Sequence, residues 1–197
     1  MAQKRIEFIS FEEFKKLYKA CDRKELRLCM LLGFGSGLRI SEIIGYKRKK
    51  KRKMDKTTRI VHWYHDRTEI PKLTKEMIDL QAHQIKLVDA KGNKWRSTVT
   101  SPILTEKMLD LLPIEIPRRT LQYQFTALAK KVLNKRMSFH ILRHGFGNYQ
   151  ANVLKVPLPI VQQMMGHSRL DTTGIYTKAN PTESINVAWQ AMTGGTE

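Results

Sequence analysis

Apolar positions recur every three or four residues toward the two ends of this chain, whereas its middle alternates and breaks. Phe11, Phe14, Leu17 and Tyr18 share one helical face, and Ser10 with Glu13 makes the S-x-x-E signature in which each side chain caps a backbone N–H of the other. That pattern predicts a helix over 11–20. The run ELRLCMLLGF is apolar enough for a buried second helix, and glycines at 33, 35 and 37 break it just before Arg39, which falls in a turn or at a helix start. Residues 83–88 and 95–100 read as short strands around DAKGNK, where Gly92 and Asn93 suit a tight hairpin turn. Helical spacing resumes over 105–112, 119–134, 140–153 and 158–165, with Gly166 placed as a helix C-cap. Asn180 and Pro181 then form a helix start, and Ile185, Ala188, Trp189 and Met192 share a face of a last helix over 180–192. That helix either closes its own core or docks on a neighbouring protomer; the pattern leaves both open. The fold class expected is mainly α with a small antiparallel β-sheet.

Residues 46–72 interrupt this order. They open with seven consecutive cations, Lys47, Arg48, Lys49, Lys50, Lys51, Arg52 and Lys53, and continue into the strand-like RIVHWYH. Eleven Lys and Arg against three acids give these 27 residues a net charge of +8. A block of like charge repels itself, so a solvated, mobile loop and an arm that orders on a DNA backbone are both consistent with it. His62 and His65 lack an accompanying ligand cluster, and no metal site is expected there.

The whole chain sets 36 Lys and Arg against 18 Asp and Glu, a formal charge of +18, which makes a polyanion the expected partner and nucleic acid the leading one. At 197 residues and 41% hydrophobic it can bury one sizeable core, so 1–197 is read as a single domain. Cys21 and Cys29 are too few for a zinc set or a disulfide framework and read as buried free thiols. No secretory signal pattern and no apolar run of membrane-spanning length is visible, so an intracellular protein without a membrane partner is expected.

The candidate chemistry gathers in the last third. His140, Arg143 and His144 lie in SFHILRHGF, Gly166 and His167 in MMGHSRLDTT, and Tyr176 follows nine residues after His167; GSGLRISE upstream adds Arg39 and Glu42. From Ile116 to Leu170 there is no Asp or Glu but nine Lys and Arg and three His, so this segment cannot supply the carboxylates that a two-metal phosphodiesterase site needs. Phosphate charge must instead be balanced by side-chain cations. A guanidinium donates two parallel hydrogen bonds to phosphate oxygens. Arg143, three residues after His140 on a helix, shares a face with it, and Arg39 approaches from a second direction. Glu42 either orients Arg39 or makes an ordinary surface ion pair with it. A tyrosine of ordinary pKa about 10 must lose its proton to attack, and nearby cations favour that loss. Lys91 in the AKGNK hairpin, with Lys94 next, is the candidate donor of a proton to the departing sugar oxygen.

These residues resemble the tyrosine recombinases, the integrase and Xer-like family of DNA strand-exchange enzymes. The matching blocks are GLRISE, AKGNKWR, SFHILRH, MMGHSRLDTTGIYT and, more loosely, LTKEMIDL, in family order from about Phe8 to Thr177. The resemblance implies that Arg39 and Arg143 bind the scissile phosphate, that Lys91 is the general acid, that His140 and His167 are the family histidines, and that Tyr176 is the nucleophile. It implies a 3′-phosphotyrosyl intermediate, no metal, ATP or other cofactor, and a tetramer on specific sites in double-stranded DNA. Lys47 to Lys53, Lys94, Arg96 and Arg119 are read as further DNA contacts. A prokaryotic cytoplasm or nucleoid is the implied setting. Two departures are expected: the family's N-terminal DNA-clamping domain is absent, because only 38 residues precede Arg39, and 46–72 is a basic insertion where the family runs straight on. A type IB topoisomerase-like relaxing enzyme and a non-cutting DNA-binding accessory protein are the alternatives.

Overall fold

Ser10 starts the first helix, α1 (Phe11–Ala20): Glu13 N–H donates to Ser10 Oγ at 3.2 Å and Ser10 N–H donates to Glu13 Oε2 at 3.0 Å. The computed structural model describes residues 8–47, 50–55, 57–65, 69–88, 95–166 and 181–194. Helix α2 (Lys24–Gly35) is buried along most of its length, as its apolar run requires. Gly37 ends this segment with φ +68°, a conformation glycine adopts without steric cost, and a Cβ there would lie 2.5 Å from the Phe146 ring. The turn delivers Arg39 to the N-cap of the short helix α3 (Ile40–Ile43).

Helices α1 and α2 pack against α5 (Arg118–Leu133) and α6 (His140–Asn148) around the larger core cluster, where Phe14, Leu17, Leu32, Phe125, Phe139 and Leu142 are buried. Each such side chain contributes about 1.5–3 kcal/mol by leaving water. Strands β3 (Ile78–Asp79), β4 (Gln84–Val88) and β5 (Trp95–Val99) form an antiparallel sheet in that order, with Ile85 opposite both Ile78 and Thr98. The expected hairpin strands are therefore present, while β3 has too few residues to show an alternation in sequence. The expected helix over 105–112 is confined to α4 (Glu106–Leu109), because the chain then tightens into turns in which the N–H groups of Leu111 and Leu112 bond the carbonyls three residues back, Met108 O and Leu109 O. Helix α6 passes into a wider turn, Tyr149–Val153, in which Leu154 N–H reaches Tyr149 O, and α7 (Leu158–Met165) follows.

A second cluster holds Val99 of β5, Phe146 of α6, Val161, Met164 and Met165 of α7, and Ala188 of α8 (Pro181–Thr193). Helix α8 thus packs on β5 of the chain's own sheet, in the same apolar cluster as α7, and Trp189 is half-buried with its ring stacked 3.3 Å from that of His83.

The basic segment is a two-stranded antiparallel ribbon, β1 (Lys50–Met54) with β2 (Val61–His65). The strand-like character of RIVHWYH is realised, and it draws the lysine run into a strand by cross-strand pairing. Asp55 Oδ1 accepts from the N–H groups of Thr57 and Thr58 at 2.8 and 2.9 Å and shapes the turn.

Candidate active site

Glu42 is the centre of the site. Its carboxylate is 1% exposed, so the surface ion pair that the spacing allowed is not what forms. Oε1 accepts from Arg39 Nη1 at 2.8 Å, while Oε2 accepts from Arg39 N–H at 2.6 Å and Arg96 Nη2 at 2.8 Å and stands 3.9 Å from Arg143 Nη1. Burial pushes this carboxyl up, but the charge and hydrogen bond of Arg96, then the backbone and charge of Arg39, outweigh it and hold the group below the ordinary glutamate value.

Three guanidinium groups around one carboxylate leave positive charge uncompensated, and the end of α7 supplies the counterweight. Arg96 Nη1 donates to Met164 O, Arg143 Nη2 to Met165 O, and Arg39 Nη2 to Gly166 O at 3.3 Å. These are the carbonyls that a helix leaves unpaired at its C-terminus, where its dipole is negative. Arg143 Nη1 also donates to Gly37 O at 2.5 Å, which ties α6 to the glycine turn before Arg39. Gly166 caps α7 in the left-handed conformation, φ +61°, and a Cβ on it would meet Arg96 Cδ at 2.5 Å. Arg39, whose side chain is 30% exposed, is the cluster's opening to solvent; Arg143 at 2% and Arg96 at 6% lie beneath it.

The structure brings Arg39, Glu42 and Arg143 together, and adds Arg96. Expected as a DNA contact, Arg96 is instead buried, because the alternation of β5 turns it and Thr98 to the same inward face, where Thr98 Oγ1 donates to Ser36 O at 2.8 Å. The signal was present in the sequence: WRSTV alternates, and an arginine on the covered face of a strand requires an acid partner. His140 lies on the exposed side of α6, its ring edge-on to that of His144 at 4.5 Å between centroids. Desolvation and then the charge of Arg143 hold His144 below the ordinary imidazole value. Lys47, Arg52, Lys53 and Arg119 are exposed. Lys50 and Lys51 are placed by their backbones in β1. Arg48, Lys49, Lys91, Lys94, His167 and Tyr176 lie outside the described residues; Gly166, at the cluster, immediately precedes His167 in the chain.

This architecture is that of tyrosine recombinase and integrase catalytic domains. The integrase from mycobacterium phage Brujita superposes with a TM-score of 0.57 at 19% identity, over 97% of this chain and 65% of that one, and the XerA recombinase crystal structure with 0.57 at 19% over 96% and 66%. Residues 7–183 match the phage integrase family model, and the chain belongs to that family. It is 27% identical to a tyrosine recombinase XerC-like protein of Caldanaerobacter subterraneus subsp. tengcongensis, over 92% of this chain and 52% of that protein. It is 41% identical to tyrosine recombinase XerD of Chlamydia trachomatis, over 51% of this chain and 33% of that protein. With XerA of Pyrococcus horikoshii the identity is 28%, over 85% and 55%. The chain therefore spans about half or less of the length of these relatives. Among the described residues, no helix is long and apolar enough to cross a membrane.

Proposed function

We propose that this chain is the catalytic domain of a site-specific DNA recombinase that cuts and rejoins double-stranded DNA through Tyr176. The observation that carries the reading is the convergence of Arg39 and Arg143 on Glu42 at the C-terminal end of α7, one residue before His167. Arg39 and Arg143 bind the non-bridging oxygens of the scissile phosphate and stabilise the charge that builds on them. Glu42 and the α7 carbonyls fix the guanidinium planes before substrate arrives. The Tyr176 phenolate attacks phosphorus, its proton passing to a neighbouring base such as His167; the P–O5′ bond breaks, and Lys91 protonates the departing 5′ oxygen. His140 lies along the same helix as Arg143 for a further phosphate contact. The product is a 3′-phosphotyrosyl ester with a free 5′ hydroxyl. A 5′ hydroxyl from a partner strand reverses these steps, and because the ester bond is conserved, neither metal nor ATP enters the balance. Lys94, Arg119 and the basic ribbon contribute DNA affinity, and a tetramer on paired duplexes brings the exchanging strands together.

The test is exchange of labelled ends between two duplexes drawn from the chain's own replicon, with EDTA present. Recombinant-length products with wild type and none with Tyr176→Phe support the reading. Relaxation of supercoiled DNA without exchange would move it to a topoisomerase, and tight binding without either to an accessory protein.

A further inference from the structure

The β1–β2 ribbon takes no part in the chemistry above. Its strands pack chiefly on each other, and its root is the Tyr46–Ile70 bridge, with N–H···O bonds of 2.8 and 2.9 Å in the two directions. An isolated two-stranded ribbon is marginal in water. This one also exposes apolar side chains: Trp63 at 67%, Met54 at 60% and Val61 at 43%.

The register places these groups together. Residues directly opposite share a face, so Arg52 with Trp63 and Met54 with Val61 form one face, and Lys53 with His62 the other. Neither strand holds an Asp or Glu, and the acid in the turn, Asp55, is engaged by backbone N–H groups. One face therefore combines a guanidinium, an indole and two apolar side chains on a ribbon whose first strand carries four cations in succession.

We infer that this ribbon enters the major groove of duplex DNA, with the Arg52–Trp63 and Met54–Val61 pairs toward the base edges. The inference rests on the reading of the chain as a DNA recombinase domain. Five residue pairs span about 17 Å, the length of about five base steps at ~3.4 Å each. The major groove is about 12 Å wide and admits a two-stranded ribbon. Its floor offers guanine acceptors to a guanidinium and thymine methyls to apolar side chains, and its phosphate walls offer neutralisation to the lysines. An apolar protein surface would have to desolvate the cations without compensation.

The experiment uses the full chain, a short mixed-sequence duplex, and either strand of it alone. Trp63→Ala is expected to weaken duplex binding about tenfold, the worth of one good groove contact, without changing the salt dependence. Arg52→Ala, which loses a base-edge contact, is expected to weaken binding with the slope largely kept, whereas Lys53→Ala is expected to flatten it, by roughly 0.9 in log–log slope for each phosphate no longer neutralised. Methyl green, which occupies the major groove, should abolish the difference between wild type and Trp63→Ala, whereas the minor-groove ligand netropsin should leave it. Trp63→Phe should restore most of the affinity, which a misfolded ribbon would not allow. Equal binding by wild type and Trp63→Ala, an equal loss on single strands, a difference sensitive to netropsin but not to methyl green, or a Trp63-dependent dimer without DNA would each overturn the inference. The Tyr176-dependent adduct at saturating protein is read in parallel: its loss would sink the recombinase reading and leave the ribbon result standing.

Discussion

Arg96 Nη2 donates to Glu42 Oε2 at 2.8 Å with both side chains almost wholly buried, so β5, the second strand of the hairpin, and the helix start that carries Arg39 are joined through one ion pair. The same guanidinium reaches Met164 O at the end of α7. One side chain thereby ties together three segments that lie far apart in sequence. Replacing it with methionine fills much of the volume but removes the buried guanidinium that pairs with Glu42 Oε2. Arg96→Met should lower unfolding free energy by about 3 kcal/mol, the scale of a broken buried pair, measured by urea denaturation; a change within error would show that the pair carries no weight.

Acid should loosen the same cluster. The Glu42 carboxyl is depressed in the folded chain, so its contribution to stability is fully present above the unfolded glutamate pKa of about 4.3 and is lost as pH falls through the folded value. Stability followed from pH 7 to 3 should show an acid limb that is smaller in Glu42→Gln, which is itself less stable at neutral pH. Parallel limbs in the two proteins would remove Glu42 as the source.

Gly166→Ala tests the cap. Its φ of +61° strains any side chain, and the new Cβ would stand 2.5 Å from Arg96 Cδ. A loss of more than about 1 kcal/mol, the ordinary cost of alanine at such a backbone position, is expected by denaturation, because Arg96 must move as well. Gly194→Ala, also at positive φ but with nothing within 4 Å, should cost less.

The ease of reading this chain followed how local each signal was. The α1 cap, the α2 run and the Gly166 stop are set by neighbours within a turn, and each formed where the pattern put it. The Arg39–Arg143 grouping was legible because GSGLRISE and SFHILRH carry the resemblance to the family. Arg96 departs from its expected place at the surface because its role depends on Glu42, 54 residues away, while composition alone assigns an arginine beside a basic hairpin to solvent. The lysine run became a strand for a similar reason: like charges disfavour order locally, and only pairing with VHWYH supplies it.

The cysteines offer a check on the core. Burial pushes the Cys29 thiol up to about 12, and Cys21 is raised by the same cause. Only thiolate reacts with iodoacetamide. Cys29 should therefore stay unmodified in native protein at pH 8 and react on unfolding in guanidinium. Modification of Cys29 at the rate of free cysteine would contradict the packing of α2.

Covalent trapping tests the central claim most directly. Wild type and Tyr176→Phe are incubated in EDTA with end-labelled, nicked duplex from the native replicon and quenched with SDS. The expected result is a protease-sensitive protein–DNA adduct with wild type alone, carrying the 5′-end label of the fragment whose 3′ phosphate is joined to Tyr176, while the downstream fragment is released with a free 5′ hydroxyl. Absence of an adduct under saturating binding, or an adduct that persists in Tyr176→Phe, would contradict it.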